Sequence, residues 1–150
     1  MSGSRESGLW KWLAKAIKHY RELLDMNRVE NLLGAGMPDV EGTLTHHQFF
    51  IELKSTARPA RPTTKVRFAV RDREAQIDWL TKRWALAGNA WLLLQVGSGH
   101  QAKRYLVPGK HAQKVYDGVT EDHLGHMSCI PESATPQSVL EVASRRNQPT

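Results

Sequence analysis

Residues 37–55 read MPDVEGTLTHHQFFIELKS, and this stretch decides the fold. Met37 to Thr43 and Gln48 to Ser55 are two extended runs joined by a short turn around Leu44 to His47, the pattern of a β-hairpin. Side chains on a strand alternate between faces. Glu52 and Lys54 therefore share one side, and Ile51 and Leu53 the other. A turn centred between Thr45 and His46 sets Asp39 opposite Glu52, with facing side chains roughly 5 Å apart at Cβ. Opposed carboxylates repel, so a fold tolerates them when something cationic sits between them. A divalent metal can do so, and Lys54 on the same face helps. All-oxygen donors suit Mg²⁺ or Mn²⁺ rather than zinc. Glu-x-Lys pairs also occur on exposed strands, where the acid merely faces water. Here Phe49, Phe50, Ile51 and Leu53 surround the charges. That company makes the strand central, where an acid and a lysine need a reason.

Upstream, Leu9, Leu13, Ala16, Ile17, Tyr20 and Leu24 recur at helical spacing, which predicts an amphipathic helix over Glu6 to Asp25. Lys11, Lys15 and Lys18 give it a basic face. Arg28 to Leu33 reads as a first strand, broken by Gly34 and Gly36. Downstream, 56–70 contains Pro59 and Pro62 and reads as a basic loop, with a short extended piece over Lys65 to Val70. Asp72 is a plausible N-cap for a second helix ending at Gly88, with Ile77, Leu80, Trp84 and Ala87 as its buried stripe. Trp91 to Val96 is a continuous apolar run and predicts a fully buried strand. Arg104 to Val107 pairs as another strand, and Gly109 to Tyr116 forms a short helix. From Pro131 the composition turns to Ser, Pro, Gln and charge. Residues 1–130 are therefore expected as one domain and 131–150 as a loosely ordered tail. The order is a mixed α/β sandwich with helices against one sheet.

The 150-residue chain carries a formal charge of +6 and a pI near 9.7, a balance that favours polyanions, chiefly nucleic acid. Between Lys54 and Arg73 lie seven basic residues and one acid, Asp72. One cysteine, Cys129, excludes an internal disulfide and suits a reducing compartment. No apolar run is long enough to span a bilayer, and the polar N-terminus has no signal-type apolar core. A soluble, cytoplasmic protein is expected.

Gly36-Met37-Pro38-Asp39, then Glu52-Leu53-Lys54, then Gln76 on the next helix, resembles the PD-(D/E)XK nuclease superfamily. The similarity is closest to small stand-alone VRR-NUC domains, of the kind phages encode, and to related Holliday-junction resolvases. It runs from about Glu6 to Val96. The resemblance implies a restriction-endonuclease-like core of αβββαβ order. It implies that Asp39, Glu52 and the Leu53 carbonyl bind the metal, that Lys54 orients or activates the attacking water, and that Gln76 is the helix glutamine. It also implies an acid on the first helix; Glu6 fits best by position, with Glu22 and Glu30 as alternatives. The expected activity is Mg²⁺- or Mn²⁺-dependent hydrolysis of DNA by an endonuclease, structure-selective for branched DNA or Holliday junctions, or nicking. A homodimer is the natural way to cut two strands. Such an enzyme would work in a bacterial or phage-infected host cell.

Arg58, Arg61, Lys65, Arg67 and Arg71 are candidate phosphate contacts at the cleft entrance. A solvated loop with charges for solubility is the plainer reading. His123, His126 and Cys129 have ligand-type spacing but lack a companion pair for zinc. Ser98 lies between glycines without an Asp-His partner arrangement. Trp79 lies off its helix's buried stripe, where it stacks on a base or packs at a dimer interface. The main alternative function is a non-catalytic nucleic-acid-binding module on the same fold. An interaction protein docking through the Lys11, Lys15, Lys18 face is a third.

Overall fold

Thr45 and His46 both take left-handed backbone conformations, with φ of 43° and 75°. Positive φ at both central residues matches the right-handed twist of the strands that such a two-residue turn connects. The turn joins β2 (Val40–Leu44) to β3 (His47–Thr56) and pairs Leu44 with His47 and Val40 with Ile51. One further step along that register brings Asp39 to Glu52, as the hairpin pattern predicts.

The computed structural model describes residues 2–29 and 36–145, with side chains from Glu6 onward. Helix α1 (Ser2–Tyr20) is followed by a short 3-10 turn and by strand β1 (Leu24–Arg28). After the hairpin come α2 (Arg73–Ala87), β4 (Ala90–Val96), β5 (Lys103–Pro108), α3 (Ala112–Asp117), α4 (Glu121–Met127) and α5 (Pro136–Ala143). The strands form one sheet in the order β1-β2-β3-β4-β5. The β3–β4 pair is parallel and the other three are antiparallel. From α1 to β4 the chain follows the expected αβββαβ order.

Burial follows strand alternation. Phe49, Ile51 and Leu53 join Trp91, Leu93 and Leu106 in a core covered by Leu9, Leu13 and Ala16 of α1. On the opposite face Leu92, Leu94 and Val107 pack with Leu80 of α2, Val115 of α3 and Leu124 of α4. Glu52 and Lys54 lie on this second face, paired with Leu92 and Leu94. Because β3 and β4 are covered on both sides, nearly every position along them is buried.

Four expectations need correction. The first helix stops at Tyr20, because Arg21 takes φ 52° and turns the chain; Leu24 then belongs to β1. That strand spans Leu24–Arg28, with Leu24 and Met26 buried between exposed Asp25 and Asn27. Of the strand expected over Arg28 to Leu33, residues 30–33 lie outside the described residues. Asp72 does not cap α2 through its side chain; it sits at φ 49°, and its carbonyl accepts the Gln76 N–H. Ala87, placed in the buried stripe, is exposed.

The largest correction concerns the C-terminal tail. Helix α5 carries Val139, Leu140 and Ala143 into the α1-side core, all fully buried. Thr135 and Ser138 form a reciprocal capping box at its start. The buried Trp91 indole N–H donates to the Ala143 carbonyl at 3.0 Å, and the Tyr20 hydroxyl to the Gln137 carbonyl. Residues 131–145 are thus part of the domain, not a tail. The polar composition hid a short helix of high amphipathicity.

Candidate active site

Asp39 lies just before β2, where its main chain meets β3. Its backbone N–H donates to Glu52 Oε1 at 3.1 Å, and its Oδ2 accepts the Leu53 N–H at 3.0 Å. Each carboxylate is thus held by the other strand's backbone. Gly36, three residues earlier, has φ +85° and abuts the Ala75 carbonyl of α2, where a Cβ would collide. Glycine there lets the chain enter Asp39 pressed against the start of α2.

Glu52 is 2% exposed and Lys54 6%. Lys54 Nζ lies 3.3 Å from Glu52 Oε2. Glu52 and Lys54 are therefore paired in a nearly dry environment, with half-buried Asp39 held beside Glu52. Burial first, and then the charge of Asp39, push the Glu52 carboxyl up to about 8, against the opposing pull of Lys54. Glu6, half-buried on α1, feels Lys54, Asp39 and Arg28; its carboxyl is raised chiefly by burial. The structure therefore brings Glu6 to the site. Glu22 is exposed and lies beyond the far end of α1, in the 3-10 turn that follows it. Glu30 lies outside the described residues.

Gln76, half-buried on α2, accepts a hydrogen bond at Oε1 from the Tyr116 hydroxyl, 2.7 Å away. Tyr116 is buried, and its phenol is held protonated by burial and by Glu52, Asp39 and Glu6. No sequence signal pointed to it, because it is 40 residues beyond Gln76 on α3. The pair walls the site on the α2 side.

The basic segment divides in two. Arg58, expected as a phosphate contact, is instead clamped to Glu121 of α4. Its Nε and Nη2 reach the two carboxylate oxygens at 2.7 and 3.0 Å, and its Nη1 donates to the Gln101 carbonyl. The Tyr105 hydroxyl donates to the same carboxylate at 2.6 Å. That guanidinium is already neutralised, so its role is to hold the loop. Arg67 donates to the Asp117 carbonyl. Arg61, Lys65 and Arg71 are exposed and form no salt bridge among the described residues. They remain the side chains in reach of an approaching polyanion. Trp79 packs edge-on against Phe50, with the Arg83 guanidinium 4.5 Å from its ring centre. It is committed within the fold rather than offered to a base.

Among solved structures, the chain is similar to Hjc of Archaeoglobus fulgidus, a Holliday junction resolvase from an archaeal hyperthermophile. The TM-score is 0.44 and the identity 14%, over 79% of this chain and 98% of that one. No family model and no curated protein matches the chain. No helix among the described residues is long and apolar enough to cross a membrane.

The donor set fits a hard divalent cation. It consists of two carboxyl groups, Asp39 and Glu52, beside one ammonium, Lys54. Among the described residues no three His, Cys, Asp or Glu side chains close on one point. Mg²⁺ is commonly held by one or two carboxylates, with waters and substrate phosphate completing the shell. Asp39, Glu52 and the Leu53 carbonyl are the groups that would hold it.

Proposed function

We propose that this protein is a metal-dependent endonuclease that hydrolyses DNA phosphodiester bonds. The observation that carries this reading is the charge set around β3: Asp39 is held beside buried Glu52, which pairs with the Lys54 ammonium. A purely structural site gains nothing from such repulsion, whereas perturbed carboxylates of this kind cluster at functional sites.

Mg²⁺ or Mn²⁺ bound there would lower the pKa of a bound water and neutralise a nonbridging phosphate oxygen. The chain's own groups supply the remainder. Lys54 Nζ places a fixed positive charge where the phosphorus centre gains negative charge during attack. The backbone N–H groups of Asp39 and Leu53 lock the carboxylates in place before substrate arrives. Gln76, braced by Tyr116, presents its amide on the same side. The exposed Arg61, Lys65 and Arg71 supply salt-dependent affinity for the DNA backbone. Water would add to phosphorus, losing a proton, as the bond to one deoxyribose oxygen breaks and that oxygen takes up a proton, without a covalent enzyme intermediate.

Motif resemblance makes branched DNA the natural substrate, with nicking of duplex DNA as the alternative, and a homodimer the natural assembly. Purified protein with Mg²⁺ or Mn²⁺, incubated with linear, nicked, flapped and four-way DNA, tests the activity. Cleavage should be absent with Asp39→Ala and with chelator. Equal cleavage by wild type, Asp39→Ala and Lys54→Ala would refute the assignment. DNA binding without cleavage by any of them would favour the non-catalytic binding module. Light scattering gives the oligomeric mass directly.

A further inference from the structure

The two edges of the sheet are finished differently. At β5, the Leu106 N–H donates to the Ser128 hydroxyl at 3.0 Å, and the Leu106 carbonyl accepts the Cys129 N–H at 2.8 Å. The chain thus covers that edge itself. At β1 it does not. The Val29 N–H donates to the Asp39 carbonyl, and the Leu23 carbonyl accepts the Thr45 N–H, so the odd-numbered residues of β1 bond inward to β2. The backbone groups of Leu24, Met26 and Arg28 therefore point away from the sheet. The Leu24 N–H turns back to the Arg21 carbonyl. The Leu24 carbonyl and both backbone groups of Met26 and of Arg28 have no hydrogen-bond partner among the described residues. An open row of this kind is a template for another strand.

The side chains along the edge select that strand. A second copy of β1, antiparallel about a two-fold axis at Met26, sets Asp25 opposite Asn27, Leu24 opposite Arg28 and Leu23 opposite Val29 of the other copy. No like charges face each other. Asp25 and Asn27 are exposed, so a carboxylate meets an amide donor on both sides of the axis. Leu23 is 55% exposed, and the half-buried Val29 of the second copy comes to meet it. An axis at Asp25 would oppose two carboxylates, and an axis at Asn27 would set Asp25 against Val29. Among these registers, the one at Met26 gives each side chain a matched neighbour. It also uses the free backbone: the Met26 and Arg28 N–H groups of each copy donate to the Met26 and Leu24 carbonyls of the other.

We propose that β1 pairs in this way with β1 of a second copy and joins the two five-stranded sheets into one. A two-fold axis between antiparallel neighbours stands perpendicular to the sheet, so it keeps each face on its own side. Leu24 and Met26 belong to the α1-side core, so both α1 helices lie on one side and both Glu52–Lys54 faces on the other. Asp39 is level with Val29, three residues from the axis. Five strand spacings across and six residues along put the two Glu52 carboxyls roughly 30 Å apart. On the nuclease reading, on which this consequence rests, one dimer presents two sites to the same side of a DNA, as paired cuts in a two-fold-symmetric branched DNA need.

The test uses the full chain. Sedimentation equilibrium should give twice the 17.0 kDa of one chain. Asn27→Asp opposes carboxylates on both sides of the axis and should weaken the dimer about ten-fold, with an unchanged circular dichroism spectrum. Adding Asp25→Lys should restore the wild-type dissociation constant, because each acid then faces a lysine. Cross-linking keeps the test if Asn27→Asp fails to fold. In a Cys129→Ser background, Asp25→Cys combined with Asn27→Cys should give disulfide-linked dimers on mild oxidation, since such facing positions bring Cβ atoms about 4.5–5.5 Å apart. Neither cysteine alone should link; a link through Asn27→Cys alone overturns the Met26 register. A monomer at every concentration overturns the proposal. A dimer that ignores Asn27→Asp and forms no link through the two cysteines also overturns it, having assembled through another surface. A linked dimer that leaves all DNA uncut with Mg²⁺ or Mn²⁺ keeps the interface and removes the hydrolase; a monomer that cuts does the reverse.

Discussion

Two glutamates of this protein face basic partners in opposite circumstances. Glu121 sits in a balanced cluster: Arg58 meets it through two nitrogens, and Tyr105 adds a third hydrogen bond. Its carboxyl is held below the usual range, first by the Arg58 hydrogen bond. Glu52 sits in an unbalanced one: it pairs with Lys54 but lies against Asp39, is more deeply buried, and its carboxyl rises to about 8. The first arrangement ties a loop to a helix. The second holds repulsion that either a proton on Glu52 or a further cation relieves. A charged pair read from sequence says nothing about which of these it is; the ratio of acids to bases and the access of water decide.

The largest expected effect lies in the unbalanced cluster. Lys54→Ala should lower the DNA cleavage rate by about 10²–10³-fold, the usual cost of losing one preorganised charge facing a transition state. Glu121→Gln should leave the cleavage rate within a few-fold of wild type. Equal losses in single-turnover cleavage would erase the contrast between the clusters.

The second effect is on stability against pH. Glu52 holds its proton in the folded protein up to about 8, whereas an unfolded glutamate releases it near 4.5. Its contribution is fully present below 4.5 and is lost as pH rises through about 8. Metal-free protein should therefore lose on the order of 3 kcal/mol between pH 5 and 9 in urea melts. Mg²⁺ should recover much of that loss, and Glu52→Gln should flatten the slope. For Glu121 the sign reverses: its depressed pKa contributes stability above 4.5 that disappears on acidification. A metal-free stability curve that rises towards pH 9 would contradict the charge imbalance at Glu52.

Smaller still, Glu121→Gln should cost about 1 kcal/mol at neutral pH, since the Arg58–Glu121 pair is partly solvated. Thermal melts at high and low salt would show the loss shrinking with salt. Smallest, Tyr116→Phe removes one buried hydrogen bond to Gln76, worth about 1 kcal/mol. It should slow cleavage by several-fold with little change in DNA affinity, as expected of a positioning residue. A change confined to affinity would separate Gln76 from the chemistry.

Strand alternation and turn position made the hairpin legible before any coordinates. Asp39 opposite Glu52, with Lys54 beside them, follows from local chain geometry because a two-residue turn leaves one register. The parallel strand β4 was equally plain from its unbroken apolar run. The tail failed for the converse reason. Val139, Leu140 and Ala143 are too few, among polar neighbours, to announce a helix without the α1 face that buries them. Arg58 failed because its partner Glu121 lies 63 residues away.

The sequence by itself determined the hairpin register and the two-acid, one-lysine face, since these depend on strand alternation and near neighbours; the αβββαβ order was implied by the motif resemblance, and its first strand fell at Leu24–Arg28 rather than Arg28 to Leu33. Only the tertiary structure decided that Glu6 joins the site and Glu22 does not. It likewise decided that Tyr116 braces Gln76, that Arg58 is spent on Glu121, and that Ser128 and Cys129 cover the β5 edge. Each of these depends on which distant surfaces are driven together by burial of two separate apolar cores. No local pattern along the chain records that outcome.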